Sequence, residues 1–373
     1  MTITNVVFCG DSITQGNMIT GAAGYNVGGS GIWVQRWTAA YCKNRRLPLV
    51  GTGFQGLWLN SSPVRWSGMG SWTQVDSSSV FDKAVNSNSA STYAYFNSSG
   101  ASLTITRLPN EPAWAAGGCI YWIDAAGIGD WQYKVDNGAW TNMAQTRLGD
   151  NKLKKLRFTT SATSSVMMRA FDGSANCSAI IVGFEGYFHS PSTTNGVIVH
   201  NLGCAGRALI DLNRPSSGDP LAWFDSVVLG TDAPDHKPNI VYMMYSNDLH
   251  RSTSVQWTND LNAFWDRMRS ISTNPVLISL NVYERGGLCL DGTQSTAEEQ
   301  EEYRNRAVTA ASTRGIPVFS AYRDWQRKYG GVFTPADGSV AASAIGGGAL
   351  DVDTTHPTPQ GHKDLARIAW WGE

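Results

Sequence analysis

The chain has almost no net charge: 29 Lys and Arg stand against 30 Asp and Glu in 373 residues, with a pI near 6.6. That balance leaves no basic face of the kind that nucleic acid or an anionic membrane surface selects. No run of about 18 apolar residues occurs, so no membrane span is expected. The first residues run directly into an apolar stretch without a charged or long hydrophobic leader, so the chain is read either as made in the cytoplasm or as having lost its leader. Its place of action stays open, outside the cell or on a virion included. Six cysteines, at 9, 42, 119, 177, 204 and 289, include no C-x-x-C pair. Neither zinc spacing nor a disulfide framework is therefore supported, and no metal or cofactor is expected. G-x-S-x-G is also missing, which argues against the nucleophile elbow of the α/β-hydrolases.

What is present is aromatic and turn-rich: 15 Trp, 13 Tyr and 39 Gly. Such a composition is common in all-β modules and sugar-binding proteins, although a buried Trp is more often core than platform. The most informative segment is Gly10-Asp11-Ser12-Ile13-Thr14, directly after the apolar run Ile3–Cys9. A serine just past a buried strand is held on a rigid element while its hydroxyl faces the cleft at the carboxyl edge of a sheet. A nucleophilic serine needs a base, and near the other end the chain reads Asp353-Thr354-Thr355-His356-Pro357. Asp353 could hold one imidazole nitrogen of His356 while the other faces Ser12, fixing the tautomer and stabilising the imidazolium formed in acyl transfer. Asp351 lacks the three-residue spacing, and Asp11 reads as a turn residue.

These two segments resemble the first and last blocks of the SGNH (GDSL-type) hydrolases. The middle blocks of that family are best matched by Asn201-Leu202-Gly203-Cys204-Ala205-Gly206, after the strand-like 196–200, and by Tyr245-Ser246-Asn247-Asp248, after the strand-like 239–244. The resemblance implies an oxyanion hole formed by the amides of Ser12 and Gly206 and the side-chain amide of Asn247, with Gly203 as the rival glycine. Each such donor is worth about 3 to 4 kcal/mol of barrier. Tyr245 stands where the family has glycine, which would narrow the cleft. His250 could line the same cleft or be a loop bystander, while Trp58, Trp66 and Trp72 could stack on sugar rings or simply pack. His362 reads as the start of a surface helix.

In a minimal member of that family the first two blocks lie a few tens of residues apart, whereas here roughly two hundred separate Ser12 from Gly206. An insertion is expected. Residues 31–45 read as an amphipathic helix and Leu47–Val50 as a strand, followed by Gly-, Ser- and Trp-rich loops over 51–75. From 76 to 190 the pattern is short β-branched or aromatic strands at 102–106, 119–123, 131–135, 156–159, 165–169 and 179–184, with a hairpin signal at Asp136-Asn137-Gly138. After 196, strands at 196–201, 238–245, 275–282 and 316–320 alternate with helices near 221–229, 253–271, 295–314 and 361–370. Ser295-Thr296-Ala297-Glu298 forms a capping box for the third helix and Gly315 ends it. The predicted fold is α/β: a three-layer α/β/α parallel-sheet hydrolase domain built from 1–75 and 191–373, with a jelly-roll-like β-sandwich at 76–190.

The expected function is a serine esterase that removes O-acetyl or other short acyl groups from a carbohydrate, as the resemblance to carbohydrate esterases with large β insertions implies, deacetylases of phage tail proteins among them. The partner is then an acylated carbohydrate, with neither nucleic acid nor a membrane involved and the oligomeric state left open. Lipase, thioesterase and arylesterase activities share the mechanism. A carbohydrate-binding or adhesion protein with a degenerate hydrolase layer is the other class, opposed by the intact set of Ser12, Asn247, Asp353 and His356.

Overall fold

The computed structural model describes residues 3–10, 12–15, 33–56, 66–69, 72–75, 93–96, 101–107, 111–125, 129–143, 148–160, 163–171, 179–203, 208–209, 238–244, 248, 251–270, 274–279, 297–329 and 357–370. It divides into two compact units, one of Met1–Asn5, Leu47–His200 and Pro215–Lys237, the other of Val6–Arg46, Asn201–Arg214 and Pro238–Glu373.

The chain opens with β1 (Ile3–Gly10), whose last six residues are all buried, and passes through a one-turn α1 (Ser12–Gln15) to α2 (Trp33–Arg45). The helix presents Trp33, Trp37 and Tyr41 one turn apart on a single buried stripe, the i, i+4, i+8 spacing of an amphipathic helix. They close on Phe8, whose ring stacks on Tyr242 at 4.8 Å and meets the Trp33 and Trp37 rings edge-on at 4.8 and 5.1 Å.

Ten strands and a two-residue pairing follow, all antiparallel. They are β2 (Gln55–Gly56), β3 (Trp66–Met69), β4 (Trp72–Val75), β5 (Tyr93–Phe96), β6 (Ser102–Thr106), β7 (Gly118–Ala125), β8 (Trp131–Val135), β9 (Thr141–Asn142), β10 (Asp150–Phe158), β11 (Ser165–Ala170) and β12 (Ala179–Gly186). One sheet runs β10-β7-β12-β5-β4 with β2 on β12, and the other runs β3-β6-β11-β8-β9. A single hydrophobic cluster draws Ile120, Trp122, Leu156, Phe158 and Ile181 from the first sheet and Leu103, Ile105, Trp131, Val166 and Met168 from the second. The expected hairpin forms where β8 meets β9: Asp136 takes φ +48°, Gly138 N–H donates to Val135 O at 2.9 Å, and Asp136 Oδ1 accepts the amides of Ser164 and Ser165.

The rest of the chain alternates: β13 (Gly196–Gly203), β14 (Ile240–Met244), α3 (Ser254–Ser270), β15 (Asn274–Ser279), α4 (Ala297–Thr313), β16 (Val318–Ser320), α5 (Ala321–Tyr329) and α6 (Pro359–Trp370). The third sheet has the order β13-β1-β14-β15-β16, with β1 parallel to β14, β14 to β15 and β15 to β16. The helices pack in two groups, α2 with α6 and α5, and α3 with α4. Thr253 Oγ1 caps α3 by accepting the Gln256 amide. Gly315 ends α4 at φ +63° while Ile316 N–H reaches back to Ala311 O at 2.8 Å, a Schellman closure that favours glycine for conformation, since a Cβ there would meet nothing within 4 Å. Among the described residues, no helix is long and apolar enough to cross a membrane.

The fold is thus mixed α/β, a parallel sheet with helices beside two antiparallel sheets. It departs from the sequence reading at four places. The stretch 51–75, expected as loops, contributes β2, β3 and β4, because its spaced Trp and Gly residues serve strand pairing. Leu47–Val50 makes only a parallel bridge from Leu49 to Val197 in place of a strand. The helix α5 was not expected, because it follows β16 directly with no turn residue between them. His362, expected at the surface, is fully buried. The helix expected at 221–229 lies outside the described residues.

Candidate active site

The site is built by strand ends. Register pairing sets Gly10, the last residue of β1, opposite Met244, the last of β14. The backbones approach so closely that a Cβ on Gly10 would lie 2.4 Å from Met244 O and 2.1 Å from Thr14 Oγ1, so only glycine fits. Ser12 begins α1 two residues past this contact, and Asn247 follows Met244 by three. On the other side of β1 in the sheet order, β13 ends at Gly203, and Asn201 near its end donates from Nδ2 to Thr14 O at 2.8 Å. The same side chain accepts the Gly203 amide on Oδ1 at 2.9 Å. The ends of β1, β13 and β14 therefore meet at one edge of the sheet, the arrangement in which open α/β sheets carry their sites.

The segments beyond those ends are tied as well. Both carboxylate oxygens of Asp248 accept the Leu209 amide at 3.0 Å, linking the stretch after Asn247 to the stretch after Gly206. Asp248 is 2% exposed and its own carbonyl accepts the amides of Arg251 and Ser252. The C-terminal segment enters α6 through Thr358, which caps the helix by accepting Gly361 N–H on Oγ1, with Pro359 at the first helical position. His362 Nδ1 accepts the Trp33 amide at 3.4 Å, so α6 is fastened to the start of α2. The residues just after His356 are thereby anchored.

Of the sequence-predicted site residues, Ser12 opens α1 and Gly203 closes β13, while Trp66 and Trp72 begin β3 and β4. Trp58, Gly206, Tyr245, Asn247, His250, Asp353 and His356 lie outside the described residues. Sequence reasoning passed over Asn201 and Asp248 as site residues. Both stood in the quoted blocks, and the signal was a short polar side chain at a strand end, where it can satisfy backbone groups that no ladder reaches. Cys9, beside the serine, is buried, and burial alone drives its thiol far above the ordinary range, as befits a packed side chain rather than a nucleophile.

A family model of the GDSL-like lipase/acylhydrolase family matches residues 183–363. Over that range, just under half of the chain, the protein is similar to the GDSL-type, or SGNH, hydrolases. The matched range holds the segments around Asn201, Asn247 and His356, while the segment around Ser12 falls before it. No curated protein matches this chain by sequence. Among solved structures, a peptidoglycan O-acetylesterase superposes on 99% of this chain and 89% of its own with a TM-score of 0.61 at 14% identity, a likeness of fold. A lipase/acylhydrolase from Enterococcus faecalis (17% identity, 47% of this chain, 74% of its own, TM-score 0.33) and an acetyl xylan esterase (14%, 47%, 80%, 0.32) match smaller parts.

Proposed function

We propose that this chain is a GDSL-type serine esterase that removes O-acetyl or other short acyl groups from a polysaccharide, with Ser12, His356 and Asp353 as its triad. The observation that carries the reading is the meeting of the β1, β13 and β14 ends, which brings the backbone beside Ser12, Gly206 and Asn247 to one sheet edge. In the reaction Ser12 Oγ attacks the ester carbonyl as His356 takes its proton, and Asp353 steadies the imidazolium. The tetrahedral oxyanion is held by the amides of Ser12 and Gly206 and by the Asn247 side chain. Collapse returns the proton from His356 to the leaving sugar oxygen, and water then hydrolyses the acyl-enzyme by the same route.

The two antiparallel sheets are, on this reading, a jelly-roll-like β-sandwich inserted between the first two blocks, spanning the expected 76–190 and extended at its front by β2 to β4. Its role is to meet the sugars of the polymer, with Trp66 and Trp72 on its strands and Trp58 before them, while Tyr245 and His250 border the reacting ester. Binding energy from remote sugars then positions the acyl group for attack. The peptidoglycan O-acetylesterase of the same overall fold makes acetylated peptidoglycan the first substrate to try.

The test measures acetate release from a panel of acetylated glycans, beside hydrolysis of short and long p-nitrophenyl esters. The expected result is acetate release from a glycan, a preference for the acetyl ester, and a loss of at least about 10⁴-fold in Ser12→Ala. A Ser12→Ala protein that keeps its turnover, or activity removed by EDTA and restored by zinc, overturns the serine mechanism.

A further inference from the structure

Two buried polar side chains near the strand ends belong neither to the triad nor to the oxyanion donors, yet each joins two of the donor-bearing segments. We propose that Asn201 and Asp248 are positioning residues, a two-point clamp that sets the spacing of the oxyanion donors; the inference rests on the esterase reading above. Asn201 links the first segment to the second, through Thr14 O at 2.8 Å on one side and Gly203 N–H at 2.9 Å on the other. Asp248 links the second to the third, receiving Leu209 N–H on both carboxylate oxygens at 3.0 Å. The four backbone anchors stand within three residues of a donor: Thr14 two after Ser12, Gly203 and Leu209 on either side of Gly206, and Asp248 directly after Asn247.

The residue types suit the task. Thr14 offers an acceptor and Gly203 a donor, so the side chain between them must both donate and accept, which an amide does and a carboxylate does not. At 248 the Leu209 backbone amide needs only an acceptor, and a charge-assisted one makes the stronger bond. The carboxylate sits on a fixed turn, because Asp248 O also accepts Arg251 N–H at 3.0 Å, Ser252 N–H at 2.9 Å and Ser252 Oγ–H at 3.0 Å. With Asn201 6% and Asp248 2% exposed, water competes little for these bonds. An oxyanion hole works only when its donors are already in place, and a misplacement of about 1 Å costs on the order of a hundredfold.

The experiment uses the full chain with p-nitrophenyl acetate as substrate and a fluorophosphonate as a label for Ser12. Asp248→Asn and Asn201→Asp should each lower kcat by about 10- to 100-fold while KM moves less than about threefold, and should slow phosphonylation of Ser12 in proportion, because that reaction passes through the same hole. Combined with Asn247→Ala, the Asp248→Asn loss should be much smaller than the product of the two single losses, since the donor it positions is already gone. Losses that simply multiply, in variants with wild-type melting behaviour, would mark Asp248 as structural and overturn the clamp, as would full kcat in both folded variants. If Asp248→Asn does not fold, Asn201→Asp carries the same comparison. A folded wild type that neither hydrolyses the ester nor takes the label at Ser12 overturns the esterase reading and the clamp with it, whereas an active wild type with indifferent variants overturns the clamp alone.

Discussion

Strands of the parallel sheet and strands of the antiparallel pair are buried in different ways. Every residue of β13 is buried, as are the last six of β1, whereas β11 alternates between half-buried and buried along its six residues. A parallel strand is covered on both faces, so each of its positions is constrained and its end is fixed relative to its neighbours. Of the antiparallel strands, β11 commits only alternate positions to the shared core, whereas β7 and β12 are buried at every position whose side chain is described. The other positions of β11 and β8 carry polar and ring contacts: Arg169 donates to Gln132 Oε1 and lies 4.0 Å over the Trp140 ring, with Lys134 at 5.0 Å from it. One region supplies precision at strand ends, the other supplies surface.

Substitutions can break that division of labour. The largest effect is expected from Gly10→Ala, where the new methyl group has backbone on one side and the Thr14 hydroxyl on the other. Either β14 or α1 must shift, and kcat on an aryl ester should fall by at least about a hundredfold. Next comes Trp122→Ala in the core of the antiparallel sheets, expected to cost about 3 to 5 kcal/mol of unfolding free energy in a denaturant melt. Below the melt, turnover of a small aryl ester should stay near wild type, and a parallel loss would show that the antiparallel sheets are needed for the proposed site at the parallel-sheet edge.

Alkaline pH should act on the antiparallel region too. Burial, aided by Glu185, raises the Cys119 thiol from 9.0 to about 11, and burial with the nearby Glu185 keeps Tyr121 well above its ordinary 10.0. These groups hold their protons in the fold but lose them earlier in the unfolded chain, so their contribution is complete below about pH 9 and falls away as pH climbs toward 11. Melting temperatures measured from pH 7 to 10.5 should decline over that window, and Cys119→Ala should flatten the decline. The smallest effect is on thiol reactivity. Half-buried Cys42 should alkylate before Cys9 and Cys119 in the native protein at pH 8, as peptide mass analysis would read out.

How much of this was legible in the sequence followed from the same contrast. The apolar runs at 3–9 and 196–200 announce buried parallel strands, and the short apolar run at 165–169 between turn residues announces a further strand, so β1, β13 and β11 were read nearly to their ends. Trp66 and Trp72 sit among Gly and Ser with no period to follow, and β3 and β4 exist only because β6 and β5 lie beside them. His362 looked like a surface residue because Gln360, Lys363 and Arg367 surround it. Helix geometry turns it to the opposite side, where it meets Trp33. The fastening of the segments through Asn201 and Asp248 was not legible, since hydrogen bonds between segments far apart in sequence leave no local pattern.

The pairing of Val6 with Ile240 has a further consequence, for the order in which the molecule takes shape as it is made. A strand at the very start of the chain waits for a partner more than two hundred residues later, and closing so long a loop is slow. The antiparallel strands between them find all their partners within 55–186 and can settle while β14 is still unmade. Both sheet neighbours of β1, β13 and β14, come after the antiparallel strands, so apolar β1 waits unpaired while those strands form.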